Sequence, residues 1–246
     1  MKKVWLMVAL GVAAYLVFAL VTVPASVVAS FLPPGVVAAG TEGTAWNGRA
    51  ATVVVGGAPI GSITWKLHAL PLLALKLKAD VKVTRSDGFL QATVATSGGE
   101  DLSLTQFTGS LPLASLPPGA MPGGWTGTLN MRLARLDLTN GWPVGADGTL
   151  EVIDLVGPAR KPVGMGSYKI IFPPELTGNE LVGALSDMGG PLEIAGNVRL
   201  SANRSYLIEG SVATRPEASQ SMTDSLQILG TPDAQGRRPF SLSGTM

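Results

Sequence analysis

Residues 43–67 read GTAWNGRAATVVVGGAPIGSITWKL. In the second half, Ile63, Trp65 and Leu67 fall on one side of an extended chain and Ser62, Thr64 and Lys66 on the other. That is the period-two alternation of a strand with one covered face. The first half is a second apolar run, ending in Gly56-Gly57-Ala58-Pro59, which predicts a hairpin with a four-residue turn. Strand, turn, strand is the unit from which the fold is read.

The unit recurs outward along the chain. Leu77, Ala79, Val81 and Val83 alternate with Lys78, Asp80, Lys82 and Thr84, and Asp87-Gly88 predicts a tight turn before the next strand. Leu129, Met131 and Leu133 alternate with Asn130, Arg132 and Ala134, and Asp147-Gly148 predicts a turn ahead of a strand from Thr149 to Leu155. SYKIIF (167–172) stops at two prolines, PLEIAGNVRLSANRSYLIEGSVAT (191–214) is a further hairpin, and 239–246 is the last strand. The proline- and glycine-rich stretch 111–125 predicts a long surface connection. NELVGALSDM (179–188) places Leu181, Leu185 and Met188 at helical spacing. ASQSMTDSLQILG (218–230) does the same with Met222, Leu226 and Leu229, and Gly230 stands where a helix ends. Both predict short helices packed on the sheet. The expected fold class is all-β with minor α: an antiparallel, hairpin-built sheet, curved or sandwich-like, with one or two short helices.

The N-terminus follows a different pattern. From Val4 to Val23 no residue is charged, Lys2 and Lys3 precede the run, and Pro24 ends it. A helix over this run is about 30 Å long, the thickness of a bilayer's hydrocarbon core. Val4, Trp5, Leu6, Leu10, Tyr15, Leu16, Phe18, Leu20 and Val23 are the expected membrane-anchor residues. The two lysines keep the N-terminus in the cytoplasm. The competing readings are a cleaved signal, with Val27 and Ala29 at a small-residue site, and a buried core helix. The expected division is a cytoplasmic tail at 1–3, a signal anchor at 4–28, a linker at 29–40 and an exported β domain at 41–246.

Composition narrows the function. The formal charge is +1, so no basic nucleic-acid surface is implied. There are no cysteines and one histidine, which argues against zinc sites of the usual His/Cys kind. No GxSxG elbow, phosphate loop or dinucleotide-binding glycine pattern occurs. Asp137, Asp147, Glu151 and Asp154 lie in an alternating region where outward polar residues are expected, and His68 stands beside an apolar LLAL run. No enzyme activity, cofactor or metal is expected.

GTAWNGRA, then IGSITWKL and LLALKLKADV, resembles the type II secretion system protein N family, also called general secretion pathway protein N. Gly43, Trp46, Gly48, Arg49 and Trp65 stand where that pattern wants them. Toward the C-terminus, GGPLEIAGNVRL with Gly190 and LQILGTPDAQGRRPFSLSGTM with Gly230, Asp233, Gly236 and Arg237 are similar too. The resemblance implies a non-enzymatic inner-membrane subunit of the Gram-negative machinery that exports folded proteins from the periplasm. Its implied partners are other inner-membrane platform subunits and the secretin, with the membrane lipid around its anchor. Its implied location is the inner membrane, single-pass, N-terminus cytoplasmic and C-terminal domain periplasmic. The alternative from the residues themselves is a periplasmic lipid or apolar-ligand carrier using a curved sheet groove.

Overall fold

The computed structural model describes residues 2–30, 32, 34–116, 124–158, 163–174 and 180–245, with the side chains of 2–4, 6, 8, 9 and 28 set aside. The central part of the proline-rich connection, 117–123, lies outside the described residues. The chain forms two units, Met1–Ser86 and Asp87–Met246.

The first unit opens with α1 (Lys2–Val21) and α2 (Ala25–Ala29), followed by β1 (Val36–Gly43), β2 (Asn47–Val55), β3 (Ala58–Leu67), the single turn α3 (Ala69–Leu72) and β4 (Leu77–Thr84). α1 has no polar face, and its described side chains stand open, with Trp5 75% and Phe18 66% exposed. Over the described residues alone, no helix is long and apolar enough to cross a membrane. β1 begins at Val36, inside the stretch expected to be linker. The four strands pair antiparallel in chain order. The β2–β3 turn has two residues, not four: Val55 pairs with Ala58 across Gly56 and Gly57, whose φ values are +58° and +85°. Two consecutive positive φ values are the tight hairpin turn that matches strand twist, and glycine permits both.

The second unit holds β5 (Phe89–Thr96), β6 (Asp101–Pro112), β7 (Thr126–Thr139), β8 (Trp142–Val156), β9 (Gly164–Phe172), β10 (Glu180–Asp187), β11 (Leu192–Ser201), β12 (Ser205–Thr214), α4 (Gln220–Leu226) and β13 (Arg238–Thr245). Each strand again pairs antiparallel with its neighbours in sequence. Its apolar core is Leu133, Ala146, Phe172 and Leu181, with Phe107, Leu136, Leu150, Ile170 and Leu200 packed against it. These residues come from six strands because the sheet curls. Trp142 Nε1 donates to the Ser201 carbonyl at 2.9 Å and Arg204 to the Asn140 carbonyl at 2.9 Å, joining one end of β8 to the end of β11 past the two strands between.

Two sequence expectations give way here. Residues 180–187 are strand β10 and not a helix; Leu181 and Gly183 are the buried alternate positions. Gly183 is glycine because a Cβ there would sit 2.6 Å from both Ile170 and Phe172. Asp147-Gly148 lies inside β8 and is not a turn: Gly148, at φ +132°, pairs with Leu133 and Asp147 with Arg135, so the extra residue of the bulge is Ala134 of β7. The turn is instead Asn140-Gly141, at φ +53° and +74°. The second predicted helix does form: Ser219 caps α4 by accepting from the Met222 N–H at 3.3 Å, and Gly230 ends the following 3-10 turn at φ +93°.

Candidate functional site

Five of the singled-out residues meet where α1 joins the first sheet. Trp46 Nε1 donates to the Leu20 carbonyl at 2.8 Å, and the Ala45 N–H donates to the Val23 carbonyl at 2.8 Å. Pro24 bridges to Thr44. The last carbonyls of a helix have no partner within it, so these bonds cap α1 and tie it to the β1–β2 turn. Trp65 Nε1 donates to the Ala45 carbonyl at 3.0 Å from the neighbouring strand. Its ring lies on Gly48, where a Cβ would come within 2.4 Å of it. At Gly43, φ is +88° and a Cβ would stand 2.5 Å from the Asn47 carbonyl. Arg49 pairs with Glu42 at 3.5 Å, both side chains mostly exposed. The group is a structural joint between helix and sheet. Trp46→Phe keeps an aromatic side chain and loses the indole donor. A net loss of about 1 kcal/mol follows. Amides of 22–45 exchange about five-fold faster by mass spectrometry.

The expected anchor residues Trp5, Leu10, Tyr15, Leu16, Phe18 and Leu20 are exposed on α1, Val23 follows the helix, and the Val4 and Leu6 side chains lie outside the described residues. The three leucines Leu70, Leu73 and Leu75 in and after α3 are 79, 86 and 87% exposed. The sequence offered them only as an apolar run, with no sign that solvent would meet them. His68, at their base, pairs with Asp80 at 2.9 Å.

The C-terminal residues are turn-builders. Asp233 accepts from the Arg237 N–H at 2.8 Å and the Gln235 N–H at 2.9 Å, and pairs with the Arg237 guanidinium at 3.2 Å. The Arg237 N–H bond is the main cause holding the Asp233 carboxyl below its ordinary range. Gly236 turns this loop at φ +77°. Gly190 lies elsewhere, against Gly166, where a Cβ would come 2.6 Å from the Gly166 Cα. The Gly190 carbonyl accepts from Arg215 at 2.9 Å, and Arg215 pairs with Asp187 at 2.7 Å. Burial alone would push the Asp187 carboxyl up, but the Arg215 guanidinium and the Gly189 and Ile194 N–H groups hold it below its ordinary value.

A folded-state carboxyl held low stabilises above the unfolded pKa, about 3.9, and that contribution disappears as pH falls through the lower folded value. Asp187→Asn therefore makes the urea stability of the second unit flatter with pH below about 4. It also costs about 2 kcal/mol at pH 7, because Arg215 loses its charged partner.

Among the described residues no polar or charged side chain is buried, and no three His, Asp or Glu residues gather as metal ligands. Asp137 is taken by Arg135 at 2.5 Å and by Ser103 at 2.7 Å, and Glu151 lies 4.0 Å from Arg132. A cavity of about 190 Å³ beneath α2 is lined by apolar groups that include Ala29, Val53, Ile63 and Trp65. The sheet margins are open: among the described residues β1 pairs only with β2, and β13 only with β12.

A family model described as "Type II secretion system (T2SS), protein N" matches residues 34–241. The chain is 29% identical over 259 aligned positions to the type II secretion system protein N of Aeromonas hydrophila, covering 99% of each chain. It is 28% identical to that of Vibrio cholerae, covering 87% of each. A shorter Aeromonas salmonicida relative of the same name is 47% identical over 45 residues, 18% of this chain and 96% of its own length. No solved structure matches the chain.

Proposed function

Because the chain belongs to the type II secretion system protein N family, we propose that it is a non-enzymatic, membrane-anchored subunit of that machinery. The match over 34–241 carries the reading, since it takes in nearly all of the β-structure. In this reading α1 crosses the inner membrane with Lys2 and Lys3 on the cytoplasmic side, and both sheets stand in the periplasm. The unbroken apolar run from Val4 supports it, as does Trp46, whose amphipathic ring suits a membrane–water boundary at the helix end. The subunit works by contact. β13 offers a row of open backbone donors and acceptors from Phe240 to Thr245, next to Pro239, which has no N–H to give. An extended segment of a platform subunit or of the secretin adds there as a further strand.

The test is genetic. Deleting the gene causes exported proteins to collect in the periplasm, and the full chain supplied in trans restores their release. Unchanged release from the deletion strain overturns the proposal.

A further inference from the structure

The β3–β4 connection, residues 68–76, carries three leucines that touch almost nothing. Leu70, Leu73 and Leu75 are 79, 86 and 87% exposed, and α3 contributes no buried residue. Leu75 is also held at φ +55°, a left-handed conformation that costs a leucine energy, and this one gains no burial in return. An exposed apolar patch of this kind marks a surface that something covers.

Three features identify what covers it. The first is position. In an antiparallel sheet the β1–β2 and β3–β4 turns lie at the same end, and α1 is tied to the β1–β2 turn through Trp46 and Ala45. The Leu67 N–H donates to the Trp46 carbonyl at 2.7 Å, so the leucine loop starts beside the residue that caps α1. The second is backbone satisfaction. The N–H groups of Leu73, Ala74, Leu75 and Lys76 all bond to carbonyls of Leu70, Pro71 or Leu72, at 3.0–3.2 Å. Four consecutive donors closed within the loop are what a segment needs where water is scarce. The third is the rim. Lys66, Lys76 and Lys78 flank the leucines, all exposed, with long stems and heads suited to lipid phosphates.

We propose that residues 69–75 dip into the headgroup layer of the same membrane that α1 spans, giving the first unit a second point of attachment. This rests on the reading of α1 as a membrane span. The loop then fixes how the first sheet stands on the bilayer, which a single helix leaves free to swivel.

The chain has no cysteine, so a single one reports without background. The full chain, carrying Leu73→Cys, Ala58→Cys or Val12→Cys labelled with an environment-sensitive dye, is reconstituted into vesicles of phosphatidylethanolamine and phosphatidylglycerol. Ala58 lies at the far turn, about 30 Å along β3 from the loop. The expected result is lipid-like emission at Leu73→Cys and Val12→Cys, with quenching by doxyl lipids several-fold stronger than at Ala58→Cys, which aqueous iodide quenches instead. If Val12→Cys is in lipid while Leu73→Cys matches Ala58→Cys, the loop proposal is overturned, the anchor stands, and a protein partner becomes the occupant. If Val12→Cys is also in water, the anchor reading fails and the loop proposal with it.

Discussion

Gly48→Ala unseats Trp65. The new Cβ would lie 2.4 Å from the indole ring and 2.8 Å from the Thr44 carbonyl, both far inside van der Waals contact. The ring must swing off β2, and its bond to the Ala45 carbonyl goes with it. Overpacking costs about 1–3 kcal/mol and the lost hydrogen bond about 1 more. The first unit therefore loses about 2–4 kcal/mol. The measurement is amide exchange over 47–67, accelerated about 30-fold or more. A double-mutant cycle isolates the cause: in a Trp65→Ala background the same glycine change costs less, because only the Thr44 contact remains. Equal costs in both backgrounds would place the strain in the backbone and not under the ring.

The second large effect is in the other unit. Leu181 is 2% exposed and packs with Leu133, Ala146 and Phe172. Leu181→Ala removes three carbons from this core. The expected loss is about 2–5 kcal/mol. At roughly 2–4 °C per kcal/mol for a unit of this size, the melting transition falls by about 4–20 °C. Leu181→Met stays within about 1.5 kcal/mol of the parent. Leu242→Ala, at a position 56% exposed, leaves the transition within about 0.5 kcal/mol. Circular dichroism of the strand signal reads all three.

The all-β class and most of the strands were legible because strand alternation is written in side chains. It failed where glycine stands at an inward position. Gly183 faces Ile170 and Phe172, yet contributes no apolar signal, so Leu181, Leu185 and Met188 read as a helix. The first residues of β8 were missed for a similar reason: Pro143 and Gly145 break the pattern in a segment whose partner strand β7 supplies the order. The tryptophan–glycine group was legible as a recurring pattern but not as a joint, since the bond from Trp46 to Leu20 spans 26 residues. The exposed leucines were hidden altogether. Hydrophobicity along a chain does not say which side chains will be left outside.

The order of pairing has a consequence for how the molecule is made. Within each unit every strand pairs with its neighbours in sequence, so the backbone partners of each strand come from the segments that adjoin it. A chain synthesised from its N-terminus can therefore add each strand to the last as it appears, without waiting for distant sequence. The Trp142–Ser201 and Arg204–Asn140 bonds require about sixty residues to arrive before they form. At every stage of such assembly the most recent strand is a growing end with an open flank. Among the described residues β13 pairs only with β12, so its outer flank is in the condition of a strand just added, open to one strand more.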